Sequence, residues 1–218
     1  MRIVATLIRW RGQLQQAIRK RAIPRQALME NLPRSGSVLE IGCGEGLILE
    51  LLAPAMGPVV GVDFDERKIS LARSRTRGRA ITLTTSDAFV FLDGQASESW
   101  DNVILVDTLS SFPPAQQFAL LAETLRILTP SGMLFLKTID GNAGWKTTFS
   151  TALSFLIYKV LRLSRSQSQE FHYLAANELQ SYFRRSGAGC TFLPLHRMRF
   201  HPVPHVLFLV HKNLAVQP

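Results

Sequence analysis

Three glycines at alternate positions follow a short apolar run, and they form the first pattern in the chain that could bind a ligand. The run Val38–Ile41 reads as a buried strand that carries one acid, Glu40. The glycines that follow are Gly42, Gly44 and Gly46. Because glycine has no β-carbon, this backbone can turn sharply and lie directly against a bound molecule. No helix breaker occurs in residues 47–52, so a helix is predicted after the loop, where open α/β sheets bind ligands.

A second acid follows the next predicted strand. Residues 58–62 form a buried apolar run that delivers Asp63 at its carboxyl end, 21 residues beyond Gly42. An acid at this point of a nucleotide-binding sheet accepts hydrogen bonds from a ribose diol. The same carboxylate could cap the helix expected to start near Glu66, and the two roles are compatible.

Two further predicted strands also end in acids. The β-branched residues 80–85 predict a third strand that leads into Asp87, and the apolar residues 100–106 predict a central fourth strand followed by Asp107. Taken alone, Asp87 could equally be the cap of a short helix that starts at Ala88.

The segment Val38–Gly46, with the acids that end the second, third and fourth strands, resembles the motifs of class I S-adenosylmethionine-dependent methyltransferases. The dinucleotide fingerprint fits less well, because its third glycine would stand one residue beyond Gly46. The resemblance covers about residues 36–138, and more loosely the C-terminal strands. It implies an α/β, Rossmann-like, doubly wound sheet of seven strands, mostly parallel, with a C-terminal antiparallel hairpin.

The resemblance also implies S-adenosylmethionine as the cofactor. The glycine loop would face the methionine carboxylate, Asp63 the ribose and Asp87 the adenine. The loop that begins at Asp107 would border both the methionine part and the acceptor. The cofactor-binding residues implied in this way are Glu40, Gly42, Cys43, Gly44, Asp63, Phe64, Asp87, Ala88 and Asp107.

Methyl transfer depends mainly on holding the nucleophile in line with the methyl carbon. A general base is needed only when the acceptor is a hydroxyl or a protonated amine. His172 and Tyr173 are the candidate catalytic residues, with His196 as a further candidate base. We expect no metal site, because prolines interrupt the C-terminal histidines and no acidic or cysteine partner is spaced with them.

Two apolar helical segments are predicted outside the core motifs. Residues 1–33 carry seven basic side chains before their first acid, Glu30, and predict a basic amphipathic helical cap. Residues 34–218 are the predicted methyltransferase domain, with a helical insertion at about 141–176. Each helical segment could cover an apolar site, touch a membrane surface or pack as ordinary core.

The composition is that of one α/β domain of 218 residues, with a formal net charge of +9. The charge favours an anionic partner or serves solubility. The two cysteines, Cys43 and Cys190, offer no disulfide framework, so we expect a reducing, cytoplasmic location. The inner face of a membrane is the alternative, and neither a signal peptide nor a spanning helix is predicted.

We therefore predict an enzyme that transfers a methyl group from S-adenosylmethionine to a small, largely apolar acceptor. The apolar helices favour such an acceptor, with peripheral membrane contact, over a nucleic acid. The alternatives are an RNA or other nucleic-acid methyltransferase, which the net charge favours, an NAD-dependent oxidoreductase on the same fold, and a homologue that binds cofactor without catalysis. A nucleic-acid enzyme would be expected to show a stripe of aromatic and basic residues, and none is visible.

Overall fold

The computed structural model of the protein describes residues 25–52, 56–142, 144, 171–195 and 204–213. The strands are β1 (Val38–Ile41), β2 (Val59–Asp63), β3 (Ile81–Thr85), β4 (Trp100–Val106), β5 (Leu128–Ile139), β6 (Gly189–Pro194) and β7 (His205–His211). The helices are α1 (Arg25–Asn31), α2 (Glu66–Arg75), α3 (Ala88–Asp93), α4 (Pro114–Ile127) and α5 (Ala176–Arg185). Single 3₁₀ turns cover Leu49–Leu51 and Leu109–Ser111.

One seven-stranded sheet has the order β3-β2-β1-β4-β5-β7-β6. Strands β1 to β5 pair in parallel, whereas β7 runs antiparallel to both β5 and β6. The predicted fold class is confirmed. The chain builds outward from β1 to β3 and then returns to place β4 beside β1, so the strand order reverses between these two strands. Ligands of open α/β sheets bind beyond the carboxyl ends of the strands at such a point.

Hydrophobic cores cover both faces of the sheet. Along β4, Val103 and Leu105 belong to one buried cluster and Ile104 to the other. Since successive residues of a strand point to opposite faces, this alternation requires apolar packing on both sides. It accounts for the uninterrupted apolar run in the sequence.

The segment after the glycine loop differs from the prediction. A helix was expected over residues 47–52, but only the single turn Leu49–Leu51 forms, so that expectation was wrong. The guanidinium of Arg79 donates to the carbonyls of Leu49, Glu50 and Leu52. A side chain from beyond α2 thereby takes the place of the amides of a continuing helix, while the carbonyl of Leu49 also accepts from the amide of Leu52 at 3.3 Å.

The start of α5 is also set by a distant residue. Asparagine is a favoured cap residue, yet the helix begins before Asn177, at Ala176. The amide of Ala176 donates to Asp140 Oδ1 at 2.9 Å, from a residue just beyond β5. A carboxylate from another part of the chain thus takes the place of a local cap.

Much of the predicted helical cap and insertion lies outside the described residues, at 1–24 and 145–170. Within the cap, the structure describes α1, Arg25–Asn31. In the described ranges, no helix has the length and apolar character needed to cross a membrane.

Replacement of Gly42 by alanine is expected to lower the free energy of unfolding by about 3 kcal/mol or more. Gly42 has a φ of +74°, and an added β-carbon would lie 2.3 Å from Thr108 Oγ1. The left-handed backbone and the forced shift of Thr108 both destabilise the variant. Urea unfolding, with its slope compared between variants, measures the effect.

Gly78→Ala is the matched control. Its φ of +81° is similar, but an added β-carbon would meet no described atom within 4 Å. The control should therefore lose only about 1–2 kcal/mol, the cost of the left-handed backbone. Equal losses in the two variants would show that the contact with Thr108 is unimportant.

Candidate active site

The glycine loop is fixed to the end of β2 by its own backbone. The amides of Gly42 and Cys43 both donate to the carbonyl of Val62, at 2.7 and 3.0 Å. Gly42, Gly44 and Gly46 all have positive φ, at 74°, 54° and 76°. This alternation of left-handed residues needs glycine, and it turns the chain at the carboxyl edge of the sheet.

Asp63 is the last residue of β2, and its carboxylate is tied to the glycine loop. Its side chain is only 5% exposed. Oδ2 accepts from the amide of Gly44 and Oδ1 from the amide of Asp65, both at 2.9 Å. The helix cap considered for Asp63 is in fact Asp65, which accepts from the amide of Arg67 at 3.0 Å. Asp63 therefore orders the loop and leaves the capping of α2 to Asp65.

Glu40 lies beside Asp63 and is only 2% exposed. Burial, followed by the negative charge of Asp63, raises the pKa of Glu40 well above its usual value, and a hydrogen bond from the backbone of Leu49 partly opposes this rise. Its Oε2 atom has no hydrogen-bond partner among the described residues. Two carboxyl groups and one unsatisfied oxygen are thus concentrated beneath the glycine loop, where they favour a cationic or hydrogen-bond-donating ligand.

Cys43 takes part in the glycine loop through its backbone amide and not through its thiol. The thiol is buried, and burial together with the charges of Glu40 and Asp63 raises its pKa. It therefore stays protonated at neutral pH and is unsuited to attack as a thiolate. The sulfur packs inward, 3.0 Å from the position that a β-carbon at Gly61 would take.

The residues that follow β2 and β3 lie next to the loop. The amide of Ser86 donates to the carbonyl of Asp63 at 3.2 Å, which joins the two strand ends. Asp87 caps α3 by accepting from the amides of Phe89 and Val90, at 2.9 and 3.3 Å. The capping role considered for Asp87 is therefore observed, whereas its contact with adenine stays a prediction.

Phe64 and Ala88 stand beside these two acids. The Phe64 side chain is 42% exposed, and the ammonium of Lys68 lies 5.4 Å from its ring centroid. Ala88 is the first residue of α3 and is partly buried. Together they place an exposed aromatic ring and a small side chain at the carboxyl edge, a surface suited to a flat apolar group.

The end of β4 carries an ion pair that the sequence analysis did not identify. Lys137 of β5 is fully buried, and its Nζ lies 2.6 and 2.7 Å from the two carboxylate oxygens of Asp107. The next residue, Thr108, donates its hydroxyl to the carbonyl of Ile41 at 3.0 Å. The ends of β4 and β1 are thereby joined where the strand order reverses. The available signal was a lysine within an otherwise apolar strand.

His172 and Tyr173 also reach this edge. The backbone amide of His172 donates to the carbonyl of Ser110 at 3.0 Å. The carbonyl of His172 accepts from the buried side-chain amide of Gln117 at 2.8 Å. The rings of Phe171 and Tyr173 stack with centroids 6.3 Å apart. The segment that holds the two candidate bases is therefore bonded to the loop after β4, whereas His196 lies outside the described residues.

Comparison with known proteins agrees with this geometry. Residues 38–132 match the family model described as a methyltransferase domain. The chain is 29% identical over 191 residues to the ubiquinone biosynthesis O-methyltransferase of Aromatoleum aromaticum, which covers 82% of this chain and 78% of that protein. It is 28% identical to the enzyme of the same name from Sinorhizobium fredii, over 71% of this chain but only 60% of that relative.

A solved structure shares the fold. The S-adenosylmethionine-dependent methyltransferase of Methanosarcina mazei superimposes with a TM-score of 0.61 at 19% identity, over 86% of this chain and 97% of that one. Motif spacing, sheet order and these similarities agree. They support a class I S-adenosylmethionine-dependent methyltransferase, with the methyltransferase-domain match at residues 38–132.

Proposed function

We propose that the protein binds S-adenosylmethionine at the glycine loop and transfers its methyl group to a hydroxyl oxygen of a small, largely apolar acceptor. The observation that carries the proposal is the pair of buried carboxyl groups, Glu40 and Asp63, beneath a left-handed glycine loop at the reversal of strand order. A cofactor with a positive charge and a ribose diol matches this pair of acceptors.

The residues present fit this cofactor. Among the described atoms, a β-carbon at Gly44 would meet only Asp63 Oδ2, at 4.0 Å, so the loop is open on that side. The unsatisfied oxygen of Glu40 can accept a hydrogen bond from a bound group. Phe64 supplies an exposed aromatic face for a base, next to Asp87 and Ala88.

The cofactor, when bound, supplies a methyl group made electrophilic by its sulfonium. The chain contributes position and a suitable electrostatic environment. Asp63 holds the loop and offers acceptor oxygens, and the Thr108 hydroxyl fixes the loop relative to the end of β4. Such positioning is the main source of acceleration in a displacement of this kind.

The acceptor class is proposed from the relatives and from the residues near the loop after β4. Both curated relatives are named as O-methyltransferases of ubiquinone biosynthesis, which supports an oxygen nucleophile on a small hydrophobic molecule. Aromatic side chains accompany the loop after β4: Phe89 and Phe112 pack edge to face with centroids 5.8 Å apart, and Phe171 and Tyr173 stack. Apolar rings around a few polar groups are typical of small-molecule sites.

We further propose that residues 1–33 form a basic helical cap and that the insertion at about 141–176 contributes to the acceptor side. The basic residues of the cap would hold the enzyme at the anionic inner face of a membrane, where apolar acceptors collect. Each basic residue close to such a surface contributes about 1 kcal/mol. The described part of the insertion supports this, because residues 171–175 lie against the loop after β4.

Asp63→Asn should weaken S-adenosylmethionine binding at least tenfold, about 1.4 kcal/mol. A neutral amide accepts a ligand's hydrogen bonds more weakly than a carboxylate does. Asp65→Asn is the matched control, because it removes a charge two residues away but keeps a good helix cap. Calorimetric titration of both variants measures the affinities, and normal binding by Asp63→Asn would show that Asp63 only orders the loop.

Glu40→Gln should stabilise the protein at pH 8 and weaken cofactor binding. In the unfolded chain the glutamate ionises at about 4.5, whereas burial raises its pKa in the folded protein. The wild type therefore loses stability as the pH rises from about 4.5 through the folded-state pKa, and the glutamine variant does not. We expect a difference of about 1 kcal/mol or more at pH 8 that disappears in acid.

Guanidinium unfolding between pH 4 and pH 8 measures this difference, and titration with S-adenosylmethionine measures the affinity. A stability difference that does not change with pH would contradict the proposed burial of the charge. Unchanged affinity would remove Glu40 from the cofactor site but leave the stability argument intact.

Deletion of residues 1–20 should leave cofactor affinity unchanged while reducing turnover of apolar acceptors and binding to anionic vesicles. The reason is that the basic, apolar segment is proposed to act on the acceptor and membrane side only. Vesicle co-sedimentation and methyl-transfer assays on the same preparation test this. Full activity and full vesicle binding after the deletion would show that the segment has neither role.

A further inference from the structure

Lys137 is a buried lysine near the carboxyl edge of the sheet, and its burial requires an explanation. Lys137 has no exposed surface, and its neighbours on the same face of β5 are Phe135 and Ile139, with Val106 and Leu207 opposite it on the adjoining strands. Burial of an ammonium is costly, and replacing a buried ion pair by apolar residues is often neutral or stabilising. Packing alone would therefore favour an apolar residue at this position. The retained charge points to a role for its partner, Asp107.

Lys137 holds Asp107 through both its side chain and its backbone. Nζ contacts both carboxylate oxygens at 2.6 and 2.7 Å, and the carbonyl of Lys137 accepts from the amide of Asp107 at 3.0 Å. Asp107 has a φ of +56°, the left-handed region that few residues other than glycine, asparagine and aspartate adopt. This conformation and the two-point contact fix the direction of the carboxylate.

The fixed carboxylate faces solvent at the edge where the glycine loop lies. The Asp107 side chain is 43% exposed, although its partner lysine is fully buried. Thr108, the next residue, is bonded to the end of β1 immediately before Gly42. A molecule placed beyond the carboxyl ends of the paired strands β1 and β4 would lie next to the segments that carry the glycine loop and Asp107.

We propose that the Asp107 carboxylate takes the proton of the acceptor hydroxyl during methyl transfer, and that Lys137 is the positioning residue that fixes the direction of this carboxylate. The inference rests on the proposed function and deepens it by naming the acceptor class. That class is a hydroxyl compound that is protonated at neutral pH, such as a phenol or catechol. In this assignment Asp107 acts on the acceptor, whereas the sequence analysis had placed it with the cofactor-binding residues.

The step balances in atoms and charge. The acceptor oxygen forms a bond to the methyl carbon while the carbon–sulfur bond breaks and the sulfur keeps the electron pair. The hydroxyl proton passes to an oxygen of Asp107. The positive charge of the sulfonium and the negative charge of the carboxylate are lost together, so the net charge is unchanged and the ammonium of Lys137 then lies beside a neutral carboxylic acid. The exposed side of Asp107 lets this proton leave to water, which restores the ion pair.

Asp107→Asn tests the proposal with two acceptors of different acidity. The probes are 4-methylcatechol, whose hydroxyls are protonated at pH 8, and 4-nitrocatechol, which is already ionised there. Loss of a general base costs about 100-fold or more in rate. We expect kcat for 4-methylcatechol to fall by about that factor, and kcat for 4-nitrocatechol by less than about threefold, since an ionised acceptor needs no base. Asparagine tolerates the left-handed backbone, so folding should be preserved.

Three further variants separate the roles. Asp101→Asn changes an acid at the opposite end of β4 from Asp107, where Asp101 accepts from Ser37. This variant should methylate both acceptors at the wild-type rate. Lys137→Met should reproduce the selective loss on 4-methylcatechol. Where Lys137→Met folds poorly, the double variant with Asp107→Asn is used, and it should match Asp107→Asn alone, because Lys137 acts only through Asp107.

Each other outcome contradicts the role proposed for Asp107 or the proposed acceptor class. An equal loss on both catechols means that Asp107 has a structural role, and a loss explained by weaker S-adenosylmethionine binding makes it a cofactor ligand. The same selective loss in His172→Gln or Tyr173→Phe, with Asp107→Asn fully active, transfers the base to that residue. Failure of the wild type to methylate either catechol while it binds S-adenosylmethionine overturns the proposed acceptor class, and the inference with it.

Discussion

The contact between Thr108 and the end of β1 is the constraint on which the site depends. Its hydroxyl donates to the carbonyl of Ile41, and its side chain fills the space that a β-carbon at Gly42 would need. This contact joins the carboxyl ends of two paired strands, the two between which the strand order reverses. The glycine loop and the loop after β4 therefore keep a fixed relation, and a displacement reaction requires that relation between its two reactants.

Charge is distributed differently on the two sides of this contact. On the β1–β2 side, Glu40 and Asp63 are buried close together, and their mutual repulsion contributes to the raised pKa of Glu40. On the β4–β5 side, Asp107 is neutralised by direct contact with Lys137. The first side suits a ligand that brings positive charge and donors, and the second suits a neutral acceptor. The burial of Glu40 and Asp63 close together lowers the free energy of unfolding, as is common in a site that binds a ligand.

The sequence was sufficient to locate the parts of the candidate site that depend on the local composition of the strands. The second and fourth strands were located from their apolar runs, because buried parallel strands have a distinct composition, and the third from its β-branched residues. The errors arose where a distant side chain replaced a local signal. Arg79 satisfies the carbonyls after the glycine loop, and Asp140 takes the capping position at α5. Neither partner can be identified from neighbouring residues, since each contact is created by the packing of the whole domain.

The ion pair of Lys137 could not be predicted from neighbouring residues either. A lysine within an apolar strand was visible in the sequence, but its partner, Asp107, is 30 residues away along the chain and adjacent only across the β4–β5 pairing. The proposed cofactor side is built from β1, β2 and β3, which follow one another closely, so motif spacing describes it well. The proposed acceptor side combines β4, β5 and residues 171–175, which Gln117 and Ser110 hold in place from far along the chain. In this proposal, acceptor specificity depends on tertiary contacts, whereas cofactor recognition depends largely on local sequence.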